Sequence, residues 1–233
     1  MESKLSDLYL ITDRKQASGR LLADVVKSAL DGGIRLVQLR EKDFSGRELF
    51  DLARELRELT KRYNAKLLIN DRVDIAIAVG ADGVHLGRQS MSVYDARHAF
   101  ETSSLIPHPS SFLIGVSTHS IKEALEAQSD GAGFITFGPV YFTPSKAVYG
   151  KPVGIEKLRE VAKSVNIPVY ALGGIKEDNI GEVMNSGTYG IAVVSAIMAA
   201  KNVRRKTEDI LKIITRHQPL SPIHEPPATS RKL

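Results

Sequence analysis

Residues 133–146 read GFITFGPVYFTPSK. The run from Phe134 to Phe137 shows no polar alternation of the kind a half-solvated strand needs, so it predicts a strand covered on both faces, as in parallel sheets. It stops at Gly138-Pro139, and a turn with Thr143, Ser145 and Lys146 follows. Working outward, seven more short β-branched or apolar runs recur: LYLIT (8–12), RLVQLR (35–40), KLLIN (66–70), GVHLG (83–87), FLIGV (112–116), PVYAL (168–172) and YGIAVV (189–194). Between them lie segments of helical periodicity, among them 21–33, 48–63, 120–131, 154–165 and 177–187, several closing on a glycine suited to a left-handed cap.

Eight strands alternating with helices predict an α/β fold, a single-domain (β/α)8 TIM barrel over residues 1–216. The main rival, an open doubly wound sheet, lacks support because no GxGxxG follows the first run. The segment 217–233 is rich in proline and poor in periodic apolar residues, and reads as a disordered tail.

Composition narrows the function classes. The 233 residues are 42% hydrophobic and contain no cysteine, which excludes disulfides, thiolate metal sites and cysteine nucleophiles. No apolar run approaches the roughly 20 residues of a membrane span, and MESKLSD lacks a signal-peptide core, so a cytoplasmic protein with no membrane partner is expected. The net charge of +5 resides in residues 201–233, where eight Lys/Arg face Glu208, Asp209 and Glu225. A basic end on a neutral body does not make a nucleic-acid-binding face. The sequence leaves a homo-oligomer open.

In a barrel of this kind the chemistry sits just after each strand. The residues there are Arg40, Glu41 and Lys42; Asn70 and Asp71; His85 and Gly87; Ser117 and His119; Thr143, Ser145 and Lys146; Gly173-Gly174; and Ser195. Each has a plain structural explanation: Arg40 could pair with Asp71, and His119 could simply precede a helix. Together, Arg40, Lys42 and Lys146 at one mouth point to an anionic substrate. Gly173-Gly174, with Val194-Ser195 opening a helix, offer a second, phosphate-sized anion site. Asp71 among the cations suits a divalent metal, with Mg2+ favoured because it binds few carboxylates and keeps its waters.

QLREK (38–42), INDRVDIA (69–76), DGVHLG (82–87), IGVSTH (114–119), FGPVYFTPSK (137–146), ALGGI (171–175) and GIAVVSAI (190–197) occur in order, and with them the chain resembles the thiamine-phosphate synthase/TenI superfamily. The resemblance implies a (β/α)8 barrel that joins hydroxymethylpyrimidine diphosphate to hydroxyethylthiazole phosphate and releases diphosphate. It implies that Gln38, Arg40, Lys42, Asn70 and Lys146 hold the pyrimidine diphosphate, and that Asp71 ligates Mg2+. Ser117 would lie near the pyrimidine, with Thr143, Ser145, Gly174, Val194 and Ser195 on the thiazole phosphate. Arg40, Lys42, Lys146 and Mg2+ would neutralise the leaving diphosphate in a dissociative step.

One departure matters. Where synthases typically carry a second metal-ligating Asp after HLG, this chain has Arg88-Gln89-Ser90, which leaves Ser90 as a weak substitute. A serine there, the Ser117-Thr118-His119-Ser120 run and the YGKPVG stretch also resemble the TenI branch. The alternative it implies is a metal-independent thiazole tautomerase, with His119 shuttling a proton on thiazole phosphate carboxylate.

Overall fold

The computed structural model describes residues 5–103, 112–143 and 151–217. Within them, eight strands alternate with helices: β1 (Leu8–Ile11), α1 (Leu22–Asp31), β2 (Leu36–Leu39), α2 (Gly46–Arg62), β3 (Lys66–Asn70), α3 (Val73–Val79), β4 (Gly83–Leu86), α4 (Val93–Glu101), β5 (Leu113–Thr118), α5 (Ile121–Ser129), β6 (Phe134–Phe137), α6 (Gly154–Ser164), β7 (Val169–Leu172), α7 (Ile180–Met184), β8 (Gly190–Val193), α8 (Ser195–Met198) and α9 (Val203–Arg216). The strands pair in sequence order, all parallel, and β1 closes on β8 through Leu8↔Ile191 and Leu10↔Val193. The expected barrel is therefore the observed one.

Strand alternation divides the core in two. Leu8, Leu10, Val37, Leu39, Leu67, Ile69, Val84, Ile114 and Ile135 point out and pack under the helices. Tyr9, Ile11, Leu36, Leu68, Phe134, Tyr170 and Ala192 point in and fill the barrel. Because both faces are dry, the runs are apolar throughout, and five of the eight strands are buried along their whole length. Three rings meet edge-on at the centre: Tyr9–Phe134 at 5.6 Å and 81°, and Phe134–Tyr170 at 5.4 Å and 75°. Below them, the Tyr170 hydroxyl donates to the Ser6 carbonyl at 2.6 Å and that of Tyr189 to Leu5 at 2.5 Å, which ties the amino-terminal segment across the floor.

Several boundaries differ from the sequence expectation. β5 runs to Thr118 rather than Val116, so Ser117 belongs to the barrel wall, where it pairs with Thr136. His85 likewise is a buried member of β4, 3% exposed, and not a rim residue. Both stay in the ladder because the neighbouring strand continues to offer backbone partners. Gly33, Gly131 and Gly187 adopt the positive φ anticipated at helix ends.

Within the basic carboxyl-terminal region, Val203–Arg216 form α9, which buries Val203, Ile210 and Ile214 and packs on α1. Its cations are matched locally, Arg204 with Glu208 at 2.9 Å and Lys206 with Glu177 at 2.9 Å. His217, assigned above to the tail, caps α9, with Nδ1 2.9 Å from the Ile213 carbonyl. Residues 218–233 lie outside the described residues. No helix among the described residues is long and apolar enough to cross a membrane.

The interior leaves no room at Gly115. A Cβ there would sit 2.2 Å from the Phe134 ring and 2.7 Å from His85 Nδ1. Gly115→Ala is expected to destabilise the fold by about 1–3 kcal/mol through overpacking, read as a lower urea midpoint with an unchanged slope.

Candidate active site

The mouth is built first by β2. Alternation puts Gln38 inside the barrel and carries the next same-side positions, Arg40 and Lys42, to the rim above it, with Glu41 on the other side. Glu41 is buried there. Its carboxylate accepts from Thr12 Oγ1 at 2.8 Å and from the Arg14 backbone N–H at 3.2 Å. Thr12 Oγ1 in turn accepts the Arg40 N–H at 2.9 Å. The β1 loop is thus tied to the backbone that carries Arg40. Burial pushes the Glu41 carboxyl above its ordinary range, against the pull of the Thr12 and Arg14 hydrogen bonds.

Among the described residues, Arg40, Lys42 and Asp71 have no ion-pair partner. The rim salt bridge that would have explained Arg40 and Asp71 structurally is therefore absent, and the charge at the mouth stays available to a ligand.

Beneath the mouth a polar chain crosses the barrel. Gln38 Nε2 donates to the Tyr9 hydroxyl at 2.6 Å, and Tyr9 lies 3.2 Å from His85 Nδ1. His85 Nε2 is 2.9 Å from Ser117 Oγ and 3.4 Å from Thr136 Oγ1. The His85 pKa falls to about 3, mainly by burial and secondarily by the nearby Arg40 charge, so the ring is neutral. Gln38 and Ser117, both sequence candidates, are thereby linked. Tyr9, Thr136 and the internal role of His85 were not anticipated, because a strand's inward polar residues cannot be told from its outward ones before closure.

Across the barrel, the chain beyond β6 follows the end of β7: the Val140 N–H donates to Leu172 and the Tyr141 N–H to Gly173, at 2.9 and 3.0 Å. Gly174 has φ +68°, and a Cβ there would lie 2.6 Å from Tyr141 Cβ and 2.8 Å from the Phe142 carbonyl, so only glycine allows the approach. Thr143 follows directly and is brought to the Gly173-Gly174 turn. At the head of α8, Val194 precedes Ser195, whose N–H has no intrahelical acceptor. These groups suit an anion. Ser145 and Lys146 lie outside the described residues.

Asn70 closes β3, and Asp71 follows in a left-handed conformation, φ +67°, its N–H bonded to the His85 carbonyl at 2.9 Å. That turn leaves the Asp71 carboxylate exposed on the rim. Ser90 Oγ accepts the Gly87 N–H at 2.7 Å and so serves the HLG turn. No group of three or more metal-ligating side chains occurs among the described residues. One unpaired carboxylate fits Mg2+ only when a diphosphate and waters complete the shell. His119 is exposed on the rim; its N–H and Nδ1 both meet Glu123 Oε2, at 2.7 and 3.2 Å, in the capped start of α5.

The family model for thiamine monophosphate synthase matches residues 8–197. The chain belongs to that family. It is 54% identical over 207 residues to a putative thiamine-phosphate synthase of Geobacter sulfurreducens, covering 89% of this chain and 93% of that protein. It is 41% identical over 206 residues to the thiamine-phosphate synthase of Clostridium novyi, covering 88% and 97%. Among solved structures it is similar to thiamine phosphate pyrophosphorylase from Pyrococcus furiosus, with a TM-score of 0.80 and 40% identity over 91% of this chain and 96% of that one. Similarity to 3-hexulose-6-phosphate synthase at 15% identity and a TM-score of 0.63 extends to the fold alone.

Glu41 offers a pH test. A carboxyl whose folded pKa is raised binds its proton more tightly when folded, so its contribution is present below the unfolded value and is lost as pH rises through the folded one. Between pH 4 and 7 the stability of Glu41→Gln relative to the unaltered protein is expected to rise, measured by urea unfolding across that range. A difference that stays flat would mean the carboxyl is not shifted.

Proposed function

We propose that the chain is a thiamine-phosphate synthase, joining hydroxymethylpyrimidine diphosphate to hydroxyethylthiazole phosphate. The observation that carries this reading is the unpaired Arg40 and Lys42 above the linked Gln38 and Ser117, in a chain that aligns with synthases over about nine-tenths of its length. In the reaction, the bond between the pyrimidine methylene carbon and the diphosphate oxygen breaks, and the thiazole nitrogen forms the new C–N bond. Diphosphate leaves with the bonding electron pair.

The site has no need of a nucleophilic side chain for this. Arg40 and Lys42 would meet the negative charge that develops on the leaving group, and Gln38, Asn70 and Ser117 would hold the pyrimidine. Thr143, Gly174, Val194 and Ser195 would hold the thiazole phosphate close enough for attack. Ser145 and Lys146 would join the two groups of contacts, an assignment supported by the family match over 8–197. Asp71 is the residue that would hold Mg2+, with Ser90 too committed to Gly87 to be a strong ligand. When bound, Mg2+ would supply further charge neutralisation at the diphosphate. A cytoplasmic setting belongs to the same reading.

The tautomerase alternative is less well supported: its histidine, His119, lies on the exposed rim against Glu123, and the curated relatives carry synthase names.

An assay offering both substrates with a Mg2+ series tests the reading. Thiamine phosphate should form. Arg40→Ala should lower kcat by about two to three orders of magnitude, as for the loss of one preorganised charge contact. Asp71→Asn should raise the Mg2+ concentration for half-maximal turnover, and His119→Asn should cost far less than either. Metal-independent turnover of thiazole phosphate carboxylate that collapses with His119→Asn would replace the synthase by the tautomerase.

A further inference from the structure

The hydrogen bonds inside the barrel have a direction. Gln38 Nε2 has only N–H groups to offer, so the Tyr9 oxygen accepts from it at 2.6 Å. The Tyr9 hydrogen then goes to its other neighbour, His85 Nδ1, at 3.2 Å. A neutral imidazole that accepts at Nδ1 carries its proton on Nε2. Nε2–H donates to Ser117 Oγ at 2.9 Å, with Thr136 Oγ1 3.4 Å away as a second acceptor. Thr136 also directs its own hydroxyl toward Ser117 Oγ, at 3.5 Å.

We infer that His85 is a positioning residue: through Tyr9 it fixes Gln38 as an acceptor and Ser117 as a donor toward the barrel mouth, so that the site selects a ligand edge bearing a donor beside an acceptor. Gln38 Oε1 forms no hydrogen bond with any described residue, and the Ser117 hydrogen has no acceptor inside the chain of bonds. An aminopyrimidine offers that complementary edge, its exocyclic amine next to a ring nitrogen. A pyrimidinone, with oxygen in place of the amine and hydrogen on the ring nitrogen, offers the reverse. The ligand assignment rests on the synthase reading; the direction of the relay does not.

Neither Tyr9 nor His85 can reach the thiazole phosphate groups by this route, because the chain of bonds ends at Gln38 and Ser117. Their effect should therefore fall on one substrate. Tyr9→Phe keeps the ring that packs on Phe134 and Tyr170 but removes the link between Gln38 and His85. Its KM for the pyrimidine diphosphate should rise about tenfold while that for the thiazole phosphate stays within about twofold, the size of one lost hydrogen bond. In the unaltered enzyme, hydroxymethyl aminopyrimidine should inhibit about tenfold more strongly than its 4-oxo analogue, and Tyr9→Phe should narrow that ratio.

Nitrogen-15 NMR of the histidine-labelled, unaltered protein provides a measurement that no variant's folding can spoil. The His85 ring, assigned through its neighbour Phe134 at 5.6 Å between centroids, should show a protonated Nε2 and an unprotonated Nδ1. A protonated Nδ1, or Michaelis constants that move together in Tyr9→Phe, overturns the relay. Failure of the unaltered protein to form thiamine phosphate would remove the synthase reading instead, and the tautomer would then decide the relay alone.

Discussion

Closing eight parallel strands on themselves is the constraint from which the rest of the structure follows. A closed sheet has no edge to satisfy, but it encloses a space that side chains must fill from within while helices cover it from without. The lower part is filled by Tyr9, Phe134 and Tyr170, packed edge to face. Large rings on some strands require very small residues on others, which is why Gly115 stands opposite Phe134. Filling the lower half with rings leaves the upper half to polar residues, and these cannot be buried singly. They are satisfied as one chain from Gln38 to Ser117.

The same closure gathers charge at one end. Parallel strands all finish on the same side, so Arg40 and Lys42 after β2 share a rim with Asp71 after β3. Some positive charge elsewhere is neutralised by near neighbours, as on α9 and in the Arg14–Asp43 pair at 3.0 Å. Arg40 and Lys42, like several other cations on the surface, make no ion pair, but the Thr12–Glu41 contact holds the backbone that carries Arg40 in place. A mouth carrying unpaired cations and one carboxylate over a neutral, polar floor is what a phosphorylated heterocycle with a bound cation would require.

Much of this was legible in the sequence because the relevant signals are local. Apolar runs that do not alternate marked every strand, and the polar residues trailing them marked the rim. KLLIN, for example, was read with its observed limits, Lys66–Asn70. Errors came where a residue's fate depends on the neighbouring strand. Ser117 looks like a loop residue after FLIGV, and His85, inside GVHLG, reads as a residue of the rim, yet the ladder continues through both, and His85 is buried. Glu41 read as one more charge in QLREK; its burial depends on Thr12, 29 positions earlier in the chain.

The sequence by itself determined the layer order, the count of eight strands, the sign of charge at the mouth and the family motifs, since periodicity, composition and spacing are properties of short segments. Tertiary structure alone decided which polar groups meet. Whether Arg40 pairs with Asp71, whether Ser90 is free to bind a metal, and which way Gln38, Tyr9, His85 and Ser117 pass their hydrogens all depend on distances between strands that only closure of the barrel sets. A hydrogen bond or ion pair is lost within about an ångström of its optimum, and no pattern along a single segment encodes a distance of that kind between segments far apart in the chain.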